Sequence, residues 1–188
     1  MSLLGHDSEQ HILRLHAKGD TRFMDTLYGE YADYLAGVCS RYIRSEADMR
    51  DVLQEAFIRI FTRMSTFEYR GKGSLKAWIT RVVVCEALRF LRNRTPVMFL
   101  DPEIDMPCTE EEEPDVECLS INQITESIRM LPPGYRVVFN LFAIEGKSHK
   151  EIAAILAITP GTSASQYHKA RRMLAGILNE QSNKEGCR

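Results

Sequence analysis

Between Ser148 and Leu174 the chain reads SHKEIAAILAITPGTSASQYHKARRML, where two helix start signals fall so close together that after a short first helix only about three residues remain for a turn. Ser148 and Glu151 have the S-x-x-E spacing of a capping box, in which each side chain satisfies an amide that the helix leaves without a partner. Thr159 followed by Pro160 is a second start, because proline at the first helical position lacks only an N–H that would be unpaired there anyway. Two short helices joined by so tight a turn form either a helix-turn-helix or a plain helical hairpin, and the turn alone does not choose between them. Charge does. The second helix carries His168, Lys169, Arg171 and Arg172 and no acidic residue before Glu180, which suits a helix that enters the major groove of DNA.

The chain has 188 residues, enough for one large domain or two small ones. Apolar residues recur at three- and four-residue steps and alternation of period two is scarce, so the fold class is all-α. The net charge of −2 conceals an asymmetry. From Asp101 to Glu117 nine of the 26 acidic residues are gathered without a Lys or Arg, which leaves 17 against all 24 basic residues, an excess of seven positive charges elsewhere. Basic folded parts separated by an acidic stretch point to nucleic acid. The five cysteines, Cys39, Cys85, Cys108, Cys118 and Cys187, form no C-x-x-C pair. They signal neither a disulfide framework nor a zinc site, so reduced thiols in a cytosol are expected and no metal or cofactor is. No signal peptide or apolar stretch of membrane length is present, so no direct membrane association is expected.

Along the chain, a first helix is predicted over Glu9 to Ala17 and a second from Thr21 to about Ile43, with Phe23, Leu27, Tyr31, Tyr34, Leu35, Val38 and Tyr42 as its buried stripe. Ser45 should cap a third helix, with Glu46 and Asp48 near the positive end of its dipole. An apolar stripe from Met49 to Met64 turns that helix to a core and leaves Asp51, Gln54, Glu55 and Ile58 on the opposite face. An isoleucine among polar and acidic groups suggests a docking surface, although one exposed isoleucine by itself means little. In the loop TFEYRGKGS, Phe67 and Tyr69 alternate with Arg70 and Lys72, as in a grip on single-stranded nucleic acid, where rings stack on bases and cations follow phosphates. Alternatively the rings pack back on the bundle, which is expected of one of them. Ser74 should cap the long helix that follows. Its inward residues are Leu75, Trp78, Ile79, Val82, Val83, Ala87, Phe90 and Leu91, and its outward cations, assigned to phosphates, are Lys76, Arg81, Arg89, Arg92 and Arg94.

Proline- and acid-rich composition after Pro96 argues for a flexible linker, dividing the chain into residues 1–96, a linker over 97–120 and a smaller unit over 121–188. In that unit helices are predicted over Ile121 to Met130 and Tyr135 to Ile144, with a turn at Glu145 and Gly146 before the helix-turn-helix. On its last helix Tyr167, Ala170, Met173, Leu174 and Ile177 should face inward, leaving Gly161, Ala164, Ser165, His168, Lys169 and Arg172 exposed. Ser165 and His168 are the candidates for base edges, and Lys169, Arg171 and Arg172 for phosphates.

The helix DVLQEAFIRIF, the stretch FEYRGKGSLKAWITRVVVCEALRFLRNR, the acidic linker and LPPGYRVVFNLFAIEGKSHKEIAAILAITPGTSASQYHKARRML follow one another in the order and spacing of a bacterial sigma factor of the extracytoplasmic-function group, which the chain resembles over roughly residues 20 to 178. The resemblance implies no enzyme. It implies a protein that binds core RNA polymerase, directs it to promoter DNA and helps open the duplex. On this reading Asp51, Gln54, Glu55 and Ile58 dock on the polymerase. Phe67, Arg70, Lys72, Ser74, Lys76, Arg81, Cys85, Arg89 and Arg92 engage the minus-ten element, where a base flipped from the non-template strand is trapped. Gly161, Thr162, Ala164, Ser165, His168, Lys169, Arg171 and Arg172 engage the minus-thirty-five element. An anti-sigma factor, which can be membrane-bound, is implied as a regulatory partner, and the site of action is cytoplasmic. Three positions depart from the family pattern: Cys85 where asparagine is frequent, Ser163 where valine is common, and Ala157 at the usual turn glycine.

Two other functions fit parts of the sequence. A transcriptional regulator with a helical sensor domain and a C-terminal helix-turn-helix would bind duplex DNA without polymerase. A helical metal-dependent hydrolase would use carboxylates such as Asp51 and Glu55, one helical turn apart, but no histidine is spaced to complete a metal shell.

Overall fold

The computed structural model describes residues 5–94 and 120–184, so the acidic linker expected over 97–120 lies, apart from Ser120, outside the described residues. Among the described residues there are helices and no strands, and the chain divides into two compact units, Met1–Leu91 and Arg92–Arg188.

The first unit is built from α1 (Gly5–Ala17), α2 (Arg22–Ser40), α3 (Glu46–Arg63) and α4 (Ser74–Arg94). α2 packs on both α1 and α3. Ile12, Leu27, Leu35, Tyr42, Ile60, Leu75 and Ile79 are fully buried, each aliphatic side chain contributing about 1.5–3 kcal/mol of burial. Cys39 lies in the same core, and burial pushes its thiol up to about 12. Ser45 does cap α3, its side chain accepting from Asp48 N–H. α2 starts directly after Thr21, which makes no side-chain cap, while Asp20 Oδ1 accepts from Arg22 N–H at 3.0 Å; the helix ends at Ser40, short of the expected Ile43. Hydrogen bonds from the Arg22 side chain and backbone hold the Asp20 carboxyl down at about 2.

Tyr34, expected in the α2 core, is exposed, with Lys76 Nζ 4.0 Å from the centre of its ring. Along α4, Val84, Glu86 and Leu88 are buried, whereas Trp78, Val82 and Phe90 are only half-buried. The helix thus turns more of its middle inward than the apolar spacing alone predicts.

The second unit contains α5 (Ile121–Met130), α6 (Pro133–Phe139), α7 (His149–Leu156) and α8 (Pro160–Lys184). α5, α6 and α7 all pack on α8, around Ile128, Leu131, Tyr135, Ala170, Leu174 and Leu178. Instead of one helix to Ile144, the chain loosens after Phe139 into a π-helical turn, Asn140–Ile144. That turn brings Phe142 to 4.4 Å from both the His149 and the Tyr167 rings. The inward face of α8 is also rotated from the expected one: Ser163 and Gln166 are fully buried, while Tyr167, Met173 and Ile177 are half-buried. Ser163 can be buried because its hydroxyl lies 3.0 Å from His149 Nδ1.

α7 ends on Ala157, the one non-glycine described residue with positive φ, at φ 56° and ψ 43°. Its N–H donates to Ala153 O, closing the helix before the turn. A left-handed alanine costs about 1–2 kcal/mol relative to a right-handed one, and glycine adopts this region freely at some cost in unfolded-chain entropy. Ala157→Gly should therefore stabilise the protein by ~0.5–1 kcal/mol, read as a raised melting temperature. A lowered melting temperature would show that the turn depends on the alanine methyl.

Candidate functional site

Three surfaces collect the residues singled out by sequence. On α3, Asp51, Gln54 and Glu55 are exposed, and Ile58 keeps 47% of its surface open. Beside them runs a groove of about 520 Å³ between α2 and α3, walled by Tyr28, Leu53, Phe57, Ile58 and Phe61 and edged by Gln54, Asp33 and Arg50. Tyr28 is itself exposed and lies 4.9 Å from Phe57, ring to ring. The isoleucine is therefore not solitary. It is the outer end of an apolar strip.

The second surface lies at the start of α4. Phe67 folds back on Trp78 with ring centroids 5.3 Å apart, while Tyr69 stays exposed. Together with Arg70, Ser74, Ala77 and Arg81 these two rings line a pocket of about 590 Å³, inside the range of about 300–1,000 Å³ usual for small-molecule sites. Arg70 pairs with Glu68 at 3.2 Å, both nearly free in solvent, an arrangement worth little and easily exchanged for a phosphate. From the pocket Arg81, Cys85, Arg89 and Arg92 continue along the exposed side of α4 at four-, four- and three-residue steps. Lys72 and Lys76 do not join them. They line a second hollow with Glu9, Glu30, Tyr31 and Tyr34. Lys76 is five residues from Arg81, about 140° round the helix.

Ser74 is also not the cap that sequence suggests. It is the first helical residue, and its hydroxyl accepts from Arg70 N–H at 3.3 Å. Trp78, assigned by its spacing to the core, is instead a pocket wall. The signal that could have found it is the second ring, Phe67, which its short loop returns to the same helix.

The third surface is the α7–α8 pair. The capping box is present, with Ser148 N–H donating to Glu151 Oε2 at 2.8 Å and Glu151 N–H to Ser148 Oγ at 3.3 Å. The two bonds from Ser148 hold the Glu151 carboxyl below its ordinary range. Thr159 accepts from Thr162 N–H at 3.0 Å. The Thr162 hydroxyl lies 2.9 Å from that of Thr159 and is thus engaged in the cap, which leaves it less available than its neighbours. Gly161, Ala164, Ser165, His168 and Arg171 are exposed, and Lys169 and Arg172 are half-buried.

Comparison with known proteins gives these surfaces a family. The model of Sigma-70 region 2 matches residues 27–96, and that of Sigma-70 region 4 matches residues 121–174. The chain is 30% identical over 184 residues to the ECF RNA polymerase sigma-E factor of Escherichia coli K12, covering 89% of this chain and 92% of that protein. This chain belongs to the extracytoplasmic-function sigma factors. It is also 27% identical over 188 residues to the RNA polymerase sigma-H factor of Pseudomonas aeruginosa, covering 94% and 96% of the two. In fold it is similar to the solved structure of CnrH in complex with the cytosolic domain of CnrY, with a TM-score of 0.50 and 22% identity over 93% of this chain and 99% of that one.

As a sigma factor the chain acts in transcription initiation with RNA polymerase. Sigma factors are not in general enzymes. Among the described residues no three His, Cys, Asp or Glu side chains are grouped so as to hold a metal ion.

Within the sigma fold Glu86, which follows Cys85, is turned away from the basic stripe. It is buried, with Oε1 2.8 Å from Arg59 Nε of α3. Only Cys85 of this pair remains on the exposed side of α4. Glu86→Ala should cost about 1–3 kcal/mol by leaving Arg59 half-buried without its carboxylate, measured by denaturant unfolding. An unchanged stability would mean that Arg59 reaches solvent freely.

Proposed function

We propose that this sigma factor divides its work among the three surfaces, with residues 1–96 as the polymerase-docking and minus-ten unit, 97–120 as a linker and 121–188 as the minus-thirty-five unit. The observation that carries the reading is the pocket of Phe67 and Trp78 with Arg70 and Arg81 at its rim, continued by the cationic side of α4. A base taken out of the stack costs a few kcal/mol, which stacking of about 1–3 kcal/mol per base and nearby cations can offset. Arg81, Arg89 and Arg92 then follow the phosphates, with Cys85 among them. Lys72 and Lys76, which line the second hollow rather than this path, meet DNA phosphates from that side.

Asp51, Gln54, Glu55 and Ile58 form the polymerase-docking patch, with Ile58 as its apolar anchor. The groove beside Ile58 is a fitting seat for an anti-sigma factor, whose occupancy would cover the anchor and keep polymerase away. Ser165 and His168 read base edges in the minus-thirty-five element, Gly161, Thr162 and Ala164 allow the close approach of α8, and Lys169, Arg171 and Arg172 hold phosphates. The protein acts where polymerase and promoter are, in the cytoplasm. Among the described residues no helix is long and apolar enough to cross a membrane.

Ile58→Ala tests the docking patch. An exposed residue should cost within ~0.5 kcal/mol of stability, whereas an interface anchor costs about 2 kcal/mol or more of binding, so polymerase affinity should fall at least tenfold at an unchanged melting temperature. Normal polymerase affinity would remove this face from the docking site. Arg172→Ala tests the division of labour on α8: binding to all upstream sequences should weaken alike, and the salt slope should fall by about one. A changed sequence preference would mean that Arg172 reads bases.

A further inference from the structure

Several of the described helices supply their own start signals, as Thr159 does for α8 by accepting from Thr162 N–H. Ser45 caps α3, while Ser120 with Gln123 and Ser148 with Glu151 form boxes on α5 and α7. In those boxes the N-cap amide and the amide three residues on are satisfied by two local side chains. α4 has no such pair, because the residue before its first helical residue is Gly73, which has no side chain. The same two amides are nonetheless satisfied. Gly73 N–H donates to Glu9 Oε2 at 2.9 Å and Lys76 N–H to Glu9 Oε1 at 3.2 Å, across 64 and 67 residues of chain.

One carboxylate from α1 therefore does for α4 what a local capping box does elsewhere. Glu9 is 1% exposed, and a buried carboxylate is tolerable only where amides and a helix's positive end compensate its charge. Both glycines of the loop have positive φ, 116° at Gly71 and 84° at Gly73, with open space where a Cβ would stand. It is backbone conformation that calls for glycine at these positions. The loop is then bound to the helix start by Ser74 N–H on Gly71 O at 3.1 Å and by Arg70 N–H on Ser74 Oγ.

We propose that Glu9 is a positioning residue for the pocket at the start of α4. It does not reach the pocket. By capping α4 it fixes the first turn from which Ser74, Trp78 and the Arg70 backbone hang, so the walls that hold an unstacked base are set by a helix remote in sequence. α1 lies outside the residues matched by the region 2 model, which begin at 27. The inference rests on the reading of the pocket given above.

The test uses the full chain with core polymerase, on a promoter that the unaltered chain opens. Glu9→Ala removes both acceptors, and Glu9→Gln keeps the size and one acceptor but turns an NH2 group on the second amide. Ile12→Val, at a fully buried α1 position, loosens the packing of the same helix and leaves the cap intact. Melting temperature, polymerase affinity and the rate of promoter opening, followed by permanganate reactivity of unpaired thymines, are measured for each. Both Glu9 variants should open the promoter at least tenfold more slowly with polymerase affinity within twofold of wild type, and Ile12→Val should open it within twofold of wild type. Opening by Glu9→Gln at the wild-type rate, or an equal defect in Ile12→Val, would overturn the positioning role while leaving the pocket reading intact. Opening at the wild-type rate by a chain carrying both Phe67→Ala and Trp78→Ala would overturn the pocket reading and this inference with it.

Discussion

The first N–H groups of a helix have no partner inside it, and the way each helix here satisfies them determines where the functional surfaces stand. Ser148 and Thr159 do so locally, and between the end of α7 at Leu156 and the start of α8 at Pro160 only Ala157, Ile158 and Thr159 remain, the first of them left-handed. The relation of α7 to α8 follows from that, and with it the side of α8 left for a DNA groove. At α4 the same need is met from a distance by Glu9. The pocket formed by Phe67 and Trp78 is consequently anchored to the whole bundle rather than to its own loop.

The surfaces differ in physics as well as in position. The α3 face with its groove is apolar at the centre and charged or polar around it, the pattern of a protein interface. The α4 and α8 surfaces are cationic, and the binding of phosphates by such surfaces is salt-dependent by nature. A net charge of −2 is thus compatible with a DNA-binding protein, because the nine acidic residues from Asp101 to Glu117 offset an excess carried elsewhere.

Features that depend on neighbours in sequence were legible without a structure. The all-α class, the start of α3 at Ser45, the capping box at Ser148 and the exposure of Asp51, Gln54, Glu55 and Ile58 all follow from spacing within one or two helical turns. Features that depend on distant partners were not. Ser74 has the composition of a cap, but a buried glutamate far upstream outcompetes it. Glu86 has the composition of a surface residue, but Arg59 of α3 makes its burial tolerable. Tyr34 looks apolar enough for the core, yet Lys76 covers its ring from outside and Thr80 Oγ1 lies 3.3 Å from its hydroxyl. On α8 the inward face is shifted because Ser163 finds His149, and the π-helical turn at Asn140–Ile144 that brings Phe142 against His149 has no mark in the apolar periodicity.

The most direct measurement of the central claim, that this chain directs polymerase to promoters through separate reading surfaces on its two units, is transcription in vitro. Core polymerase, with and without the full chain, is presented with genomic fragments, and the 5′ ends of the transcripts are mapped. Discrete start sites that require the chain, each preceded by a shared pair of upstream elements about two helical turns of DNA apart, are the predicted result. Identical transcripts with and without the chain would contradict the account, as would a chain that shifts the same duplex fragments equally well in the absence of polymerase.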